Sequence, residues 1–261
     1  MKVKEIDRTV NVAWSPAAQH PIMLAAGTAA QQLDSSFSTS ASLELYALNL
    51  TEPGLDMDLK ASVPSEFRFH KLAWGSYGFG GEHGNGIIVG GCDGGRVQIY
   101  SAAKVLAKEE GIIARQDKHT GPVRALDFNH YQSNLLATGA SESEIYIWDL
   151  NNTDTPMLPG AKSQPAEDVL CISWNKQVQH ILASAFTQRC VVWDLRKNEP
   201  IIKLSDGSSR IRWKALAWHP DVATQLCLAS EEDQTPVIQL WDLRFATSPL
   251  KTLEGHKRYL L

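Results

Sequence analysis

The chain has 261 residues, with 25 Lys+Arg against 29 Asp+Glu for a formal net charge of −4, and is 21% charged and 43% hydrophobic. This mild acidity excludes the clustered basic footprint with which nucleic-acid binders displace counterions, and directs attention to a protein partner instead. No stretch approaches the roughly 18 apolar residues of a membrane span, and the charged start Met1-Lys2-Val3-Lys4-Glu5 lacks the apolar core of a signal peptide, so a cytosolic chain is expected.

Along the chain, one unit recurs five times. The first unit opens with the alternating segment Val12-Ala13-Trp14-Ser15-Pro16. It continues through the short apolar run Met23-Leu24-Ala25-Ala26-Gly27 and ends in Leu43-Glu44-Leu45-Tyr46. The second repeats this as Leu72-Ala73-Trp74, Ile87-Ile88-Val89-Gly90-Gly91 and Val97-Gln98-Ile99-Tyr100. Residues 75–86, with six glycines, read as a flexible surface loop, and residues 102–110 as a short helical insertion between units.

The last three units end in Trp148-Asp149-Leu150, Trp193-Asp194-Leu195 and Trp241-Asp242-Leu243, with tryptophans 45 and 48 residues apart. Alternation in the first segment and continuous apolarity in the second predict short strands, one half-covered and one buried. Three to four strands per unit, closing on Trp-Asp, predict an all-β fold, a WD-repeat β-propeller of four-stranded blades. The blades are placed at about 10–50, 67–101, 119–150, 167–195 and 211–243. The start of a sixth, Gly255-His256 onward (255–261), makes residues 1–261 a single propeller domain that is incomplete at its C-terminal end.

His119, Thr138 and Trp148 sit at the spacing of a repeat-stabilising network that runs from loop histidine to strand hydroxyl to strand indole through a turn Asp. Here the turn position is Glu142 and its counterpart is Thr187, so the network is expected to be incomplete and some blades to depend more on apolar packing. Asp149, Trp193, Asp194, Trp241, Asp242 and His256 fill the other structural positions of the repeat.

Chemistry is sparse. Cys92, Cys171, Cys190 and Cys227 show no metal-ligand spacing and read as small core hydrophobes. Gly75-Ser76-Tyr77-Gly78-Phe79-Gly80-Gly81 lacks both the dinucleotide fingerprint and the phosphate-loop Lys, and Glu231-Glu232-Asp233 falls in a turn. With no nucleophile elbow and no convergent acid–base set, neither an enzyme nor a cofactor is expected. Arg196 and Arg244, two residues after Asp194 and Asp242, resemble the tandem WDxR signature of substrate receptors of cullin-type ubiquitin ligases. That alternative makes them adaptor contacts; the simpler reading leaves them as solvated turn residues.

Several strings lie outside the repeat consensus. They include Gly27-Thr28 followed by Gln31-Gln32-Leu33-Asp34-Ser35-Ser36-Phe37-Ser38-Thr39, Phe69-His70-Lys71-Leu72-Ala73-Trp74-Gly75, and Lys118-His119-Thr120-Gly121-Pro122-Val123-Arg124. Two more are Trp193-Asp194-Leu195-Arg196-Lys197-Asn198-Glu199-Pro200 and Leu216-Ala217-Trp218-His219-Pro220-Asp221-Val222. Together they resemble the large-subunit family of the COPII outer coat, Sec thirty-one, over the whole chain. Only the loop Ser208-Ser209-Arg210-Ile211-Arg212-Trp213-Lys214 departs from that likeness. The resemblance implies a seven-bladed propeller at the vertices of a vesicle cage, acting without catalysis in transport from the endoplasmic reticulum to the Golgi. It implies partners in Sec thirteen, the inner-coat proteins and further copies of the chain, at endoplasmic-reticulum exit sites, with indirect, peripheral membrane association.

Overall fold

The computed structural model describes residues 2–29, 40–205, 207, 211–233 and 236–257. The expectations placed on residues 31–39, 208–210 and 258–261, including most of the sixth-blade start, lie outside the described residues. The chain divides into two compact units, Met1–Lys118 and His119–Leu261. Among the described residues no helix is long and apolar enough to cross a membrane.

The first unit holds two four-stranded antiparallel sheets. One comprises β1 (Val10–Trp14), β2 (Met23–Thr28), β3 (Ala41–Ala47) and β4 (Asp58–Ser65), and the other β5 (Phe69–Gly75), β6 (Ile87–Cys92), β7 (Val97–Ser101) and β8 (Ile112–Gln116). The second unit holds three. These are β9 (Ala125–Phe128) to β12 (Asn152–Met157) through β10 (Leu135–Gly139) and β11 (Ile145–Asp149); β13 (Cys171–Trp174) to β16 (Glu199–Leu204) through β14 (Ile181–Ala185) and β15 (Cys190–Asp194); and β17 (Trp213–Trp218) to β20 (Lys251–Leu253) through β18 (Gln225–Ser230) and β19 (Ile238–Asp242). Within every sheet, strands adjacent in sequence are paired neighbours.

The second and third strands of each sheet are the apolar ones. Ala25 pairs with Leu45, Ala137 with Ile147, and Ala183 with Val192. The next sheet covers each pair with two residues of its own first strand. Leu72 and Trp74 share a core with Ala25 and Leu45, Ile172 and Trp174 with Ala137 and Ile147, and Leu216 and Trp218 with Ala183 and Val192. An alternating strand fits this role, because residues i and i+2 point to one face.

The fourth strands extend past the predicted blade limits. They are largely exposed, and Pro64, Pro156 and Pro200 lie in β4, β12 and β16. An edge strand tolerates a missing N–H, and its exposure erases the apolar signal that marks the inner strands. The helical stretch therefore needs correction: α1 (Ala102–Leu106) joins β7 to β8 inside the second sheet and is not an insertion between units. The glycine-rich loop is folded back on its sheet. The Trp74 indole N–H donates to Asn85 O at 2.8 Å, and His83 is buried, its Nδ1 3.3 Å from Ser101 Oγ. Phe69 packs into the room left by two absent side chains, since a Cβ on Gly27 or Gly90 would come within 2.7 or 2.4 Å of its ring.

Candidate functional site

Several of the polar groups buried in the sheets are tied to one another, and the third sheet shows the fullest set. Trp148 Nε1–H donates to Thr138 Oγ1 at 2.8 Å, and that hydroxyl lies 2.7 Å from His119 Nε2. With the Thr138 O–H donating to Nε2, His119 carries its proton on Nδ1, 3.4 Å from Glu144 Oε2. Glu144 also accepts from the Thr120 N–H at 2.8 Å and from Lys162 Nζ at 3.1 Å. Burial pushes the His119 imidazole down to about 4 against the pull of Glu144, so it is neutral at neutral pH. Burial opposes the Glu144 charge, but Thr120 and Lys162 hold the carboxyl below its ordinary value.

The acidic member of this cluster is thus Glu144 and not Glu142, which is exposed in the turn with φ 56°. Four residues before the Trp is the last position before the third strand, where a side chain turns inward. A count back from Trp148, rather than from the turn consensus, finds it. The same position in the next sheet is Arg189, 3% exposed, which pairs with Glu167 from the loop ahead of β13. The charge order is reversed between adjacent sheets.

Trp193 Nε1–H donates to Ser184 Oγ at 2.9 Å, whereas the buried Trp241 indole has no hydrogen-bond partner among the described residues. In the first unit tyrosine takes the Trp position. Tyr46 Oη donates to Glu44 Oε2 and Tyr100 Oη to Gln98 Oε1, each at 2.6 Å and two residues back on the same strand. Burial and the Glu44 carboxylate raise the Tyr46 phenol to about 12. His256 is exposed and joins none of these networks.

The Asp that follows each Trp closes the turn into the fourth strand. Asp149 accepts from the Asn151 N–H and Nδ2 and from Asn134 Nδ2. Asp194 accepts from the Arg196 N–H at 3.0 Å, Nε at 3.1 Å and Nη2 at 2.8 Å. Asp242 does the same with Arg244 at 3.0, 2.9 and 2.6 Å. The Arg196 hydrogen bonds hold the Asp194 carboxyl down at about 2, and those of Arg244 hold Asp242 well below the usual carboxylate range. Both guanidiniums form planar two-point forks on their own turn, although their outer faces remain 65% and 63% exposed.

A second ladder links neighbouring first-to-second-strand loops. Asn129 Oδ1 accepts from the N–H groups of Tyr131 and Gln132, while its Nδ2 donates across to Gln179 O at 2.8 Å. Asn175 repeats this one sheet later with Gln177, Val178 and Ala223 O. His219 stands in the third place, its Nδ1 accepting from Asp221 and Val222. These asparagines belong to no motif; their signal is a shared position, directly after the last residue of the first strand, Phe128 or Trp174. Among the described residues no three His, Cys, Asp or Glu side chains group as metal ligands.

Residues 112–149 match the WD40 family, WD domain, G-beta repeat. Over 264 aligned residues covering 100% of this chain, the protein is 62% identical to protein transport protein Sec31A of Gallus gallus and 60% identical to that of Homo sapiens, and covers 22% of each. The solved structure described as COPII on membranes, outer coat vertex, superposes with a TM-score of 0.82 at 31% identity, over 97% of this chain and 66% of the other. Spanning about a fifth of the length of those curated relatives but matched from end to end of its own, the chain belongs to the Sec31 family of WD-repeat proteins.

Proposed function

We propose that this chain is a non-enzymatic scaffold of the outer cage of the COPII coat, its five sheets serving as blades of one WD-repeat propeller. The observation that carries this reading is the 60–62% identity along the whole chain to Sec31A proteins, joined to the 0.82 superposition on an outer coat vertex. The physical logic supports it. A cage needs rigid nodes joined by many weak contacts that assemble together and separate together. Sheets whose buried polar groups are tied internally make rigid nodes and leave the loops to carry recognition.

On this reading the partners are Sec thirteen, the inner-coat proteins and other copies of the chain, on the cytosolic side at endoplasmic-reticulum exit sites, with indirect membrane association. The test is affinity capture of the tagged chain from cells. Recovery of Sec thirteen and inner-coat proteins, with tagged protein in puncta at exit sites, supports the proposal; recovery of a cullin adaptor without coat proteins overturns it. The forks on Asp194 and Asp242 favour the coat over the ligase reading, because an adaptor would have to share guanidiniums already bound within their own turns. The Arg196→Ala plus Arg244→Ala variant is therefore expected to keep its captured partners.

A further inference from the structure

The third strands of the first two sheets carry a polar residue two places before the tyrosine, and the surroundings of the two differ. In the first sheet it is Glu44, 5% exposed, which accepts from Tyr46 Oη at 2.6 Å and pairs with Arg8 at 3.4 Å. In the second it is Gln98, 3% exposed, whose Oε1 accepts from Tyr100 Oη at 2.6 Å, Ser65 Oγ at 3.2 Å and Cys92 Sγ at 3.9 Å. The other end of that amide is unused: among the described residues the Gln98 Nε2 hydrogens meet no acceptor. A buried N–H without an acceptor forfeits its solvation, and this one lines an open pocket.

That pocket, of about 290 Å³, is shared by Gln98 with Phe67, Arg96 and Arg115, and with the exposed Glu66 and Asp117. Arg115 stands directly across from Gln98 in the β7–β8 register, so the two side chains share a face. Arg96 follows the turn between β6 and β7, and its guanidinium carbon lies 4.2 Å from the centre of the Phe67 ring. Gly94, at φ 64°, makes room for it, because a Cβ there would come within 2.4 Å of Arg96 Nη1. Ser65 joins the parts, its Oγ lying 2.8 Å from Phe67 O as well as beside Gln98. Asp93, in the same turn, is taken by Arg68 Nε at 3.1 Å and His70 Nε2 at 2.7 Å. Neither the Arg96 nor the Arg115 guanidinium has a hydrogen-bond or ion-pair partner among the described residues. Two cations and an amide N–H₂ thus line one pocket without an acceptor.

We propose that this pocket binds a Glu or Asp side chain, flanked by basic residues, in a peptide segment of a partner protein. Arg96 and Arg115 donate to the carboxylate, Gln98 Nε2 is the third donor, and Glu66 and Asp117 receive the flanking cations. The rim carboxylates cancel the two guanidiniums in formal charge, which admits a singly charged carboxylate and disfavours a doubly charged phosphate or a polyanion. The volume lies at the small end of the about 300–1,000 Å³ of sites for free ligands and suits a side chain. The first sheet shows the same chemistry completed within the chain, where Glu44 brings the carboxylate and Arg8 the guanidinium. The second sheet has the cations, and the partner brings the carboxylate. This holds whether or not the chain acts in a coat.

The experiment titrates the whole nitrogen-15-labelled chain with three capped peptides, Gly-Lys-Glu-Lys-Gly, Gly-Lys-Gln-Lys-Gly and Gly-Lys-phosphoserine-Lys-Gly, up to millimolar concentration. The arginine Nε–H and glutamine side-chain amide resonances are followed by NMR. The Glu peptide is expected to move the Arg96, Arg115 and Gln98 signals saturably, the Gln peptide to leave them in place, and the phosphoserine peptide to bind more weakly. Arg115→Ala, at an exposed position, is expected to weaken binding about tenfold or more. Gln98→Glu keeps the acceptors used by Tyr100 and Ser65, as Glu44 does in the first sheet, and supplies the carboxylate from within. It is expected to abolish binding and to shift the Arg96 and Arg115 signals with no peptide present. No response to the Glu peptide, an equal response to the Gln peptide, or unchanged binding in Arg115→Ala or in folded Gln98→Glu overturns the proposal. Tighter binding of the phosphoserine peptide overturns it in favour of a phosphate site. Where Gln98→Glu does not fold, Arg115→Ala alone decides.

Discussion

The two compact units share a strand plan but anchor the third-strand aromatic differently. In Met1–Lys118 the tyrosine hydroxyls reach two residues back along their own strand, to Glu44 and Gln98. In His119–Leu261 the Trp148 and Trp193 indoles cross to a hydroxyl on the second strand, Thr138 or Ser184. The first arrangement satisfies the phenol within its own strand and leaves the link between strands to the acceptor, since Gln98 Oε1 also accepts from Ser65 Oγ of β4 at 3.2 Å and Glu44 pairs with Arg8. The second ties neighbouring strands, and through His119 it reaches the loop ahead of the sheet as well. The same fold position thus reaches its neighbours through an intermediary side chain in one unit and directly through the indole in the other.

The comparison can be broken most severely at Trp193. It is 1% exposed, so Trp193→Ala should cost about 3–5 kcal/mol in urea unfolding. Next comes Glu144→Ala, which leaves the Thr120 N–H and His119 without their carboxylate; a loss of about 1–3 kcal/mol is expected. A pH series sharpens the role of His119. In the unfolded chain its imidazole takes up a proton near its ordinary value of 6.5, whereas in the fold it stays neutral down to about 4. The unfolded chain therefore binds more protons in that window, and stability falls as pH falls from 6.5 towards 4, at up to about 1.4 kcal/mol per pH unit. His119→Gln should remove that part of the slope in chemical denaturation measured across the window. Tyr100→Phe removes the hydroxyl that donates to Gln98 and should cost about 1 kcal/mol by the same assay. The smallest effect on stability is expected at Arg196→Ala, where the readout is carbon-detected titration of Asp194. Its carboxyl should rise from about 2 towards its ordinary value once the fork is gone, and the stability it gives, present above the ordinary carboxylate value and lost as pH falls through about 2, should be reduced.

What was legible in the sequence was whatever repeats with an apolar signature. The inner three strands of every sheet and the Trp-Asp turns stand out because burial forces their composition. The fourth strands did not, since edge strands such as Lys251–Leu253 are wholly exposed and carry no alternation. The site residues divide along the same line. His119, Thr138 and Trp148 stand at the repeat spacing and lie together, whereas Glu144 escapes the turn consensus, which points to Glu142, because the consensus counts residues and the fold selects whichever side chain points inward. Asn129 and Asn175 were invisible for another reason. Their importance rests on donating to carbonyls some 50 residues away, a relation that only the packed sheets create.

The reversed charges at Glu144 and Arg189 have a consequence for how such a chain can change over generations. Tandem arrays lengthen when a unit is copied and inserted beside itself, and identical units would accept any order. Here the third unit needs the Lys162 ammonium from the linker towards the fourth, and the fourth brings its own Glu167 to its own Arg189. A copy of the third unit made without the linker that carries Lys162 would leave the buried Glu144 one cation short. The third and fourth units are therefore not interchangeable at this position, because a buried carboxylate in one and a buried guanidinium in the other each take an opposite charge from the one linker between them.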